Sequence, residues 1–422
     1  MLGIIRPGCG SIQACVSIGI VVRPLQRMES IYYVMAWACH RKCKHCYENR
    51  FRPYVRGALA EVVEQAQSSY ARIIDHFPER MRYIDLAEGP GQHTEKTGRI
   101  ILSGGESLLD AVRETVTYPV IERLQQRYRN QGGVKVVVQT TGDLLTDRIV
   151  AELLERGVYM ISIASVDDFH VGMEGEVKQK AFVDKLSAMF DRHGMKASGL
   201  SATTRNWHEE EGPLYGFFGA TPDSWIGKLW PRGRAWDNSL PRSTVADNFC
   251  NRWSGGLNFL RHQYSGSEIS VEPDGSVYAC CVKTKLPLGN LNEEPLIEIL
   301  DSLVGVPAFE AITAGHPERM GLAHGWDEAR FIEASRTTLP DGTPYENLCI
   351  GCDRFHEQML GPVLAQARAR REDARAAARA LRTGATAAQP RPLAVAAAAD
   401  HASSLDPAPA RKKIIAIKEQ SR

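Results

Sequence analysis

Cys39, Cys43 and Cys46 stand at the spacing Cys-x3-Cys-x2-Cys, directly after an apolar stretch, residues 31–38, that reads as a strand. Three thiolates can hold three irons of a [4Fe–4S] cube and leave the fourth iron open to bind and split a substrate. A cube held by four cysteines is closed and transfers electrons. Zinc is the alternative, because a structural zinc takes four sulfur or nitrogen ligands and His40 or His45 could supply the fourth. A disulfide knot is another.

Further along comes Ile100-Ile101-Leu102-Ser103-Gly104-Gly105-Glu106. The apolar residues end a strand, and the two glycines let a ligand approach the backbone. Glu106 offers a carboxylate that can accept a hydrogen bond from an ammonium group. By itself this is also an ordinary strand-to-helix turn. Thr140-Thr141-Gly142-Asp143 and Ser165-Val166-Asp167-Asp168 likewise set hydroxyls and carboxylates after apolar runs, and each could instead cap the next helix. His170 could carry protons in a cavity or be a satisfied surface histidine.

A second set of thiols lies beyond residue 245. Cys250 opens it, and Pro273-Asp274-Gly275 marks a hairpin turn followed by Cys280 and Cys281. Cys349-Ile350-Gly351-Cys352 closes it. Cys250, Cys280, Cys349 and Cys352 suffice for one closed iron–sulfur cluster or for a four-cysteine zinc site. Cys281 rivals Cys280.

These groups need a scaffold. Strand readings at 31–38, 100–102, 134–139, 159–164 and 196–203 alternate with helix readings at 57–76, 115–128, 147–156 and 178–193. Such alternation implies parallel pairing in a wound or barrel architecture, with functional residues at the carboxyl ends of the strands. The cysteines, Gly104 to Glu106, Thr140 and Ser165 to Asp167 all fall at such ends. The chain has 422 residues, which is room for two or three domains. Its 51 Lys and Arg against 50 Asp and Glu argue against a binder of duplex nucleic acid. No apolar run is long enough for a membrane span. Ten cysteines grouped as metal sites point to a reducing cytoplasm. Residues 363–382 read as a helix and residues from 383 onward as disorder.

The Cys-x3-Cys-x2-Cys loop together with Gly104-Gly105-Glu106 resembles the radical S-adenosylmethionine (radical SAM) superfamily. The resemblance implies an α/β fold with a partial (β/α)6 barrel at 31–245 after an N-terminal extension, 1–30. The [4Fe–4S] cluster on Cys39, Cys43 and Cys46 would chelate the methionine part of SAM through its open iron. Ser103, Gly104, Gly105, Glu106, Thr140, Ser165 and Asp167 would surround that cofactor, and His45 would pack near the adenine. Arg234, in Gly233-Arg234-Ala235, resembles a segment in which an arginine pairs with a carboxylate. The order of Cys250, Gly275-x4-Cys280 and Cys349-x2-Cys352 resembles the SPASM and twitch extensions. That implies a second [4Fe–4S] cluster in residues 246–360, ahead of the tail at 361–422. The implied chemistry is reductive cleavage of SAM to a 5′-deoxyadenosyl radical that takes hydrogen from a substrate. The substrate would be a peptide side chain or a small biosynthetic intermediate, and a flavodoxin- or ferredoxin-type protein would donate the electron. The aromatic-rich segment 207–236 reads as a substrate lid or a packed domain interface. An RNA- or cofactor-modifying radical enzyme and a non-catalytic metal-binding scaffold are the rival readings.

Overall fold

The computed structural model describes residues 26–86, 93–198, 211–220, 229–251 and 256–383. Its centre is a mixed α/β sheet. In chain order the strands are β1 (Ser30–Val34), β2 (Arg82–Asp85), β3 (Thr94–Thr97), β4 (Arg99–Ser103), β5 (Lys135–Thr140), β6 (Val158–Ile163), β7 (Lys196–Ala197), β8 (Leu214–Phe217), β9 (Glu268–Val271), β10 (Ser276–Tyr278) and β11 (Gly289–Asn290). Nine of them form one open sheet in the order β11-β10-β9-β1-β4-β5-β6-β8-β7. From β9 to β7 every pairing is parallel. Within this sheet only β9–β10 and β10–β11 are antiparallel; β2 with β3, and Arg336–Thr338 with Pro344–Glu346, form two separate antiparallel ribbons.

Parallel strands are covered on both faces and read as continuous apolar runs. Val136, Val137 and Val138 of β5 and Ile100, Ile101 and Leu102 of β4 are all buried for that reason. On the outer face Tyr33 packs edge-on against Phe77 beside the helix Gly57–Asp75. On the inner face Ile101, Val137, Met160 and Leu214 form a separate apolar cluster with Tyr32 and Tyr159 packed against it.

Three features differ from the sequence reading. The sheet does not stop at residue 245: β9, from the cysteine-bearing C-terminal region, pairs in parallel with β1, Ser30 opposite Glu268. Met28 and Ser30 are buried, so the core begins before residue 31. Tyr215 and Phe217, in the segment read as a lid or a packed domain interface, belong instead to a strand, β8, where Tyr215 stacks on Phe190. Trp230 packs on Tyr47 and Trp236 on Tyr345, which makes that part of the segment an interface. Trp207, Trp225 and most of the strand read at 196–203 lie outside the described residues, as do residues 1–25 and 384–422. The helix Gly361–Thr383 docks by a stripe of Leu364, Ala367 and Arg371. Arg371 makes a bidentate pair with buried Glu294, both contacts at 2.8 Å. Among the described residues no helix is long and apolar enough to cross a membrane.

Candidate metal centres

The first cysteine loop leaves the carboxyl end of β1 and is stitched to the end of β4. Gly105 N–H donates to the Ala36 carbonyl (3.1 Å) and Glu106 N–H to the Ala38 carbonyl (2.9 Å). A Cβ on Gly105 would sit 2.2 Å from the Ala38 oxygen, and one on Gly104 2.8 Å from the Ala36 oxygen. The two glycines therefore serve first to let the turn lie against the cysteine loop. Glu106 is 2 % exposed and fully engaged. One oxygen accepts from Thr140 Oγ1 (2.6 Å) and Leu108 N–H (2.9 Å), and the other from Thr141 N–H (2.8 Å) and Thr141 Oγ1 (2.6 Å). Four donors match the four lone-pair sites of a carboxylate. In this arrangement Glu106 ties β4 to β5 and brings a negative charge beside Cys39, which differs from an acceptor held ready for an ammonium.

The other predicted residues are brought to the same end of the sheet, with partners of their own. Ser103 Oγ meets Tyr32 Oη (2.7 Å) and Gln139 Oε1 (2.9 Å) on the inner face. Ser165 Oγ donates to the Thr141 carbonyl (2.7 Å). Asp167 accepts from His170 Nδ1 (2.8 Å) and, with its other oxygen, from Ala220 N–H (2.9 Å). Burial opposes its charge, yet these donors hold its carboxyl well below the usual range. His170 is thus a buried, oriented histidine. His45 packs against it at 4.4 Å and against Phe169 at 5.5 Å, and burial, then His170, lowers its pKa to about 4. Arg234 differs from its reading. Its guanidinium pairs with no carboxylate among the described residues, and donates instead to the carbonyls of Cys43 (2.8 Å), Glu48 (3.3 Å), Asn49 (3.1 Å) and Phe51 (2.7 Å). It is a clamp on the cysteine loop.

The second set converges from three segments. Cys250 follows Asn248, Cys280 follows the β9–β10 hairpin, and Cys349 and Cys352 lie on the helix Leu348–Phe355, which Asn347 caps. Burial raises all four thiols, and three of them feel others of the set: Cys349 and Cys280 act on Cys250, Cys280 acts on Cys349, and Cys250, Cys280 and Cys349 act on Cys352. Burial also raises Cys39, Cys43 and Cys46, Cys39 to about 12, with Glu106 adding to the push. Buried thiols that repel one another suit a cationic metal centre, which takes them as thiolates. Cys281 is buried too, but its charge acts on Tyr32 and Tyr47, whereas that of Cys280 acts on Cys250, Cys349 and Cys352.

Spacing discriminates between metals. Sulfurs on one tetrahedral zinc, with Zn–S near 2.3 Å, lie about 3.8 Å apart. Among the described residues, the groups whose ligand atoms lie within 4.8 Å of one another are His45-Asp167-His170 and His40-Glu106-Asp143, and neither contains a cysteine. No three thiols of either set lie within that mutual distance in the described residues. No described cysteine is in a disulfide.

Residues 264–318 match the family model SPASM, described as an iron–sulfur cluster-binding domain. Comparison with curated proteins gives no match. Among solved structures the chain is similar to BtrN in complex with AdoMet and 2-DOIA, at 14 % identity and TM-score 0.36, over 71 % of this chain and 92 % of that one. It is similar to anSMEcpe with bound AdoMet at 15 % identity and TM-score 0.36, over 81 % and 95 %. It is also similar to Streptococcus suis SuiB bound to the precursor peptide SuiA, at 10 % identity and TM-score 0.27, over 68 % and 67 %.

The SPASM match contains Cys280 and the hairpin; Cys250, Cys349 and Cys352 flank it. Sequence reasoning missed the residue that faces the thiols there. Arg232 lies near Cys280, Cys349 and Cys352 and donates to Asp353 (2.8 Å) and to the Cys349 carbonyl (3.4 Å). It stands two residues before Arg234, so one short segment touches both cysteine sets. Between them Gly233 adopts φ +53°, and a Cβ there would lie 2.4 Å from the Tyr47 carbonyl carbon. An Arg-Gly-Arg triplet is a visible signal, but its two-sided use depends on the fold. His356 was also missed. It is fully buried beyond Cys352, and burial, then Arg232, lowers its pKa to about 3.

Proposed function

We propose that this protein is a radical SAM enzyme with one auxiliary [4Fe–4S] cluster, carrying out a net oxidation or cross-link on a peptide side chain or a small biosynthetic intermediate. The observation that carries the reading is the stitched pair of motifs. The three-cysteine loop and the Gly104-Gly105-Glu106 turn are hydrogen-bonded to each other at the carboxyl ends of adjacent parallel strands. A metal-binding scaffold has no need of the second motif. Cys39, Cys43 and Cys46 would hold a cluster with one open iron. When bound, reduced cluster and SAM supply an electron and a carbon radical able to take a hydrogen atom from a substrate.

The chain's own residues do the rest. Glu106 fixes the turn through its four donors and places a negative charge beside Cys39, at the edge of the cofactor site. Arg234 holds the loop by its carbonyls. Tyr32, Ser103 and Gln139 give the inner face a polar patch above apolar Ile101, Val137, Met160 and Leu214, which suits a substrate with both characters. Cys250, Cys280, Cys349 and Cys352 would hold a closed cluster, suited to accepting the substrate electron and relaying it to a carrier, while a flavodoxin- or ferredoxin-type protein of the cytoplasm would donate the electron that starts the reaction. Balanced charge disfavours the RNA-modifying alternative.

The test is reductive SAM cleavage by the anaerobically reconstituted protein. Formation of 5′-deoxyadenosine that is lost in the Cys39→Ala, Cys43→Ala, Cys46→Ala variant supports the reading. A protein that binds iron and never cleaves SAM contradicts it. Comparing 5′-deoxyadenosine with product then separates oxidation from isomerisation.

A further inference from the structure

We infer that His356 donates its ring N–H to a sulfur of the auxiliary cluster and thereby raises that cluster's reduction potential. The inference rests on the cluster reading proposed above for Cys250, Cys280, Cys349 and Cys352.

Three observations converge on it. His356 is 0 % exposed, and neither ring nitrogen has a hydrogen-bond partner among the described residues. A neutral imidazole always carries one donor and one acceptor. Leaving a donor buried without a partner forfeits its hydration with nothing in return, so a histidine retained here needs something to bond to.

The second observation is helical register. The helix Leu348–Phe355 continues without a break into a π-helical turn, His356–Leu360. At 3.6 residues per turn, His356 falls about 20° from Cys349 around the helix axis and about 40° from Cys352. It stands four residues beyond Cys352, a spacing whose side chains are neighbours, with Cβ atoms about 5–6 Å apart. The opposite side of the helix is already used. A Cβ on Gly351 would meet Ser335 Oγ at 2.3 Å and Phe331 at 2.8 Å, and Arg354 donates to the Ala334 carbonyl (2.8 Å). The helix thus packs its back on the helix Glu328–Ala334 and turns Cys349, Cys352 and His356 together to the other side.

The third is Arg232. It lies on that same side, bonded to Asp353 and near Cys280, Cys349 and Cys352, and its charge also acts on His356. The histidine and the thiols therefore share one environment. An N–H···S hydrogen bond favours the more negative, reduced state of a cluster. Arg232 adds a fixed positive charge, and His356 adds a directional donor at the Cys352 end.

The test uses the full chain with Cys39, Cys43 and Cys46 all changed to Ala, so that the auxiliary cluster alone is observed. His356→Phe keeps the ring shape and removes the donor, while His356→Gln restores an N–H. An EPR-monitored redox titration should show a lower midpoint in the Phe variant and a midpoint moved back toward the parent in the Gln variant. With 15N-labelled histidine, pulsed EPR should show a weak nitrogen coupling that the Phe variant loses. An unchanged midpoint with about four irons retained overturns the inference alone. A coupling strong enough for direct iron–nitrogen bonding overturns it in favour of ligation. Zinc in place of iron overturns the cluster reading beneath it.

Discussion

The two cysteine sets are built in opposite ways. The first is local: three thiols within one loop, set between strand ends and clamped from outside by Arg234 on four backbone carbonyls. The second is assembled from residues as far apart as Cys250 and Cys352, and its members meet only when the hairpin, the insert and the last helix have docked. Closing long loops costs conformational entropy that a short loop does not pay. A metal centre that joins distant segments therefore returns more of its binding free energy to the fold. In the proposed reading the first site is a preformed cradle, whereas the second would be a staple as well as a redox site. Where they meet, residues 231–238 serve both.

The largest effect separates the two outright. Changing Cys39, Cys43 and Cys46 to Ala should abolish SAM cleavage while leaving about four of an expected eight irons per chain, measured by iron assay and 5′-deoxyadenosine yield. Loss of all iron would mean that the second site depends on the first. The reciprocal change, Cys349→Ala with Cys352→Ala, should keep SAM cleavage but stop product formation. It should lower thermal stability more than the triple variant does, because it removes the staple. Equal Tm values for the two variants would erase the proposed contrast.

Gly233→Ala tests the bridge. Its positive φ and the Tyr47 contact predict a loss of about 1–3 kcal/mol, with reduced iron loading at both sites by denaturant unfolding and iron assay. Loss at only one site would make the segment one-sided. Glu106→Ala should weaken SAM affinity and leave both clusters in place, since its role is charge and position. Undiminished affinity by titration would remove it from the cofactor site.

The smallest effect concerns Glu272 in the hairpin. It faces Lys283 (2.9 Å) and Arg50 (3.4 Å), the latter from the first loop. Burial raises its pKa to about 7 despite Lys283 and Arg50. A carboxyl whose folded pKa is raised adds stability below its unfolded pKa, and that contribution is lost as pH rises from about 4.5 through about 7. Glu272→Gln should therefore flatten the fall in stability across that window, read by denaturant midpoints at several pH values. An unchanged slope would show that the group does not titrate there.

Much of the first site was legible because its signals are local. Three cysteines, two glycines and a glutamate lie in two short stretches, and strand–helix periodicity fixed where those stretches sit. The use of Glu106, Ser165 and Arg234 was not legible, because their partners come from other strand ends or from carbonyl groups that every residue carries. In the second region the four thiols were readable from the hairpin and the Cys-x2-Cys pair. That β9 would extend the barrel sheet was not, since a short strand such as Glu268–Val271 gives no hint of its neighbour. Arg232 and His356 were missed for a similar reason: each gains meaning only from what faces it across the fold.

The central claim is that one cluster is open to SAM and the other closed. Adding SAM to the dithionite-reduced protein and recording EPR spectra tests it directly. The account predicts two overlapping [4Fe–4S] signals. SAM should change only the one that disappears when Cys39, Cys43 and Cys46 become Ala, and leave unchanged the one that disappears with Cys349 and Cys352. A SAM-induced change that persists in the triple variant, or none in the wild type, would contradict it.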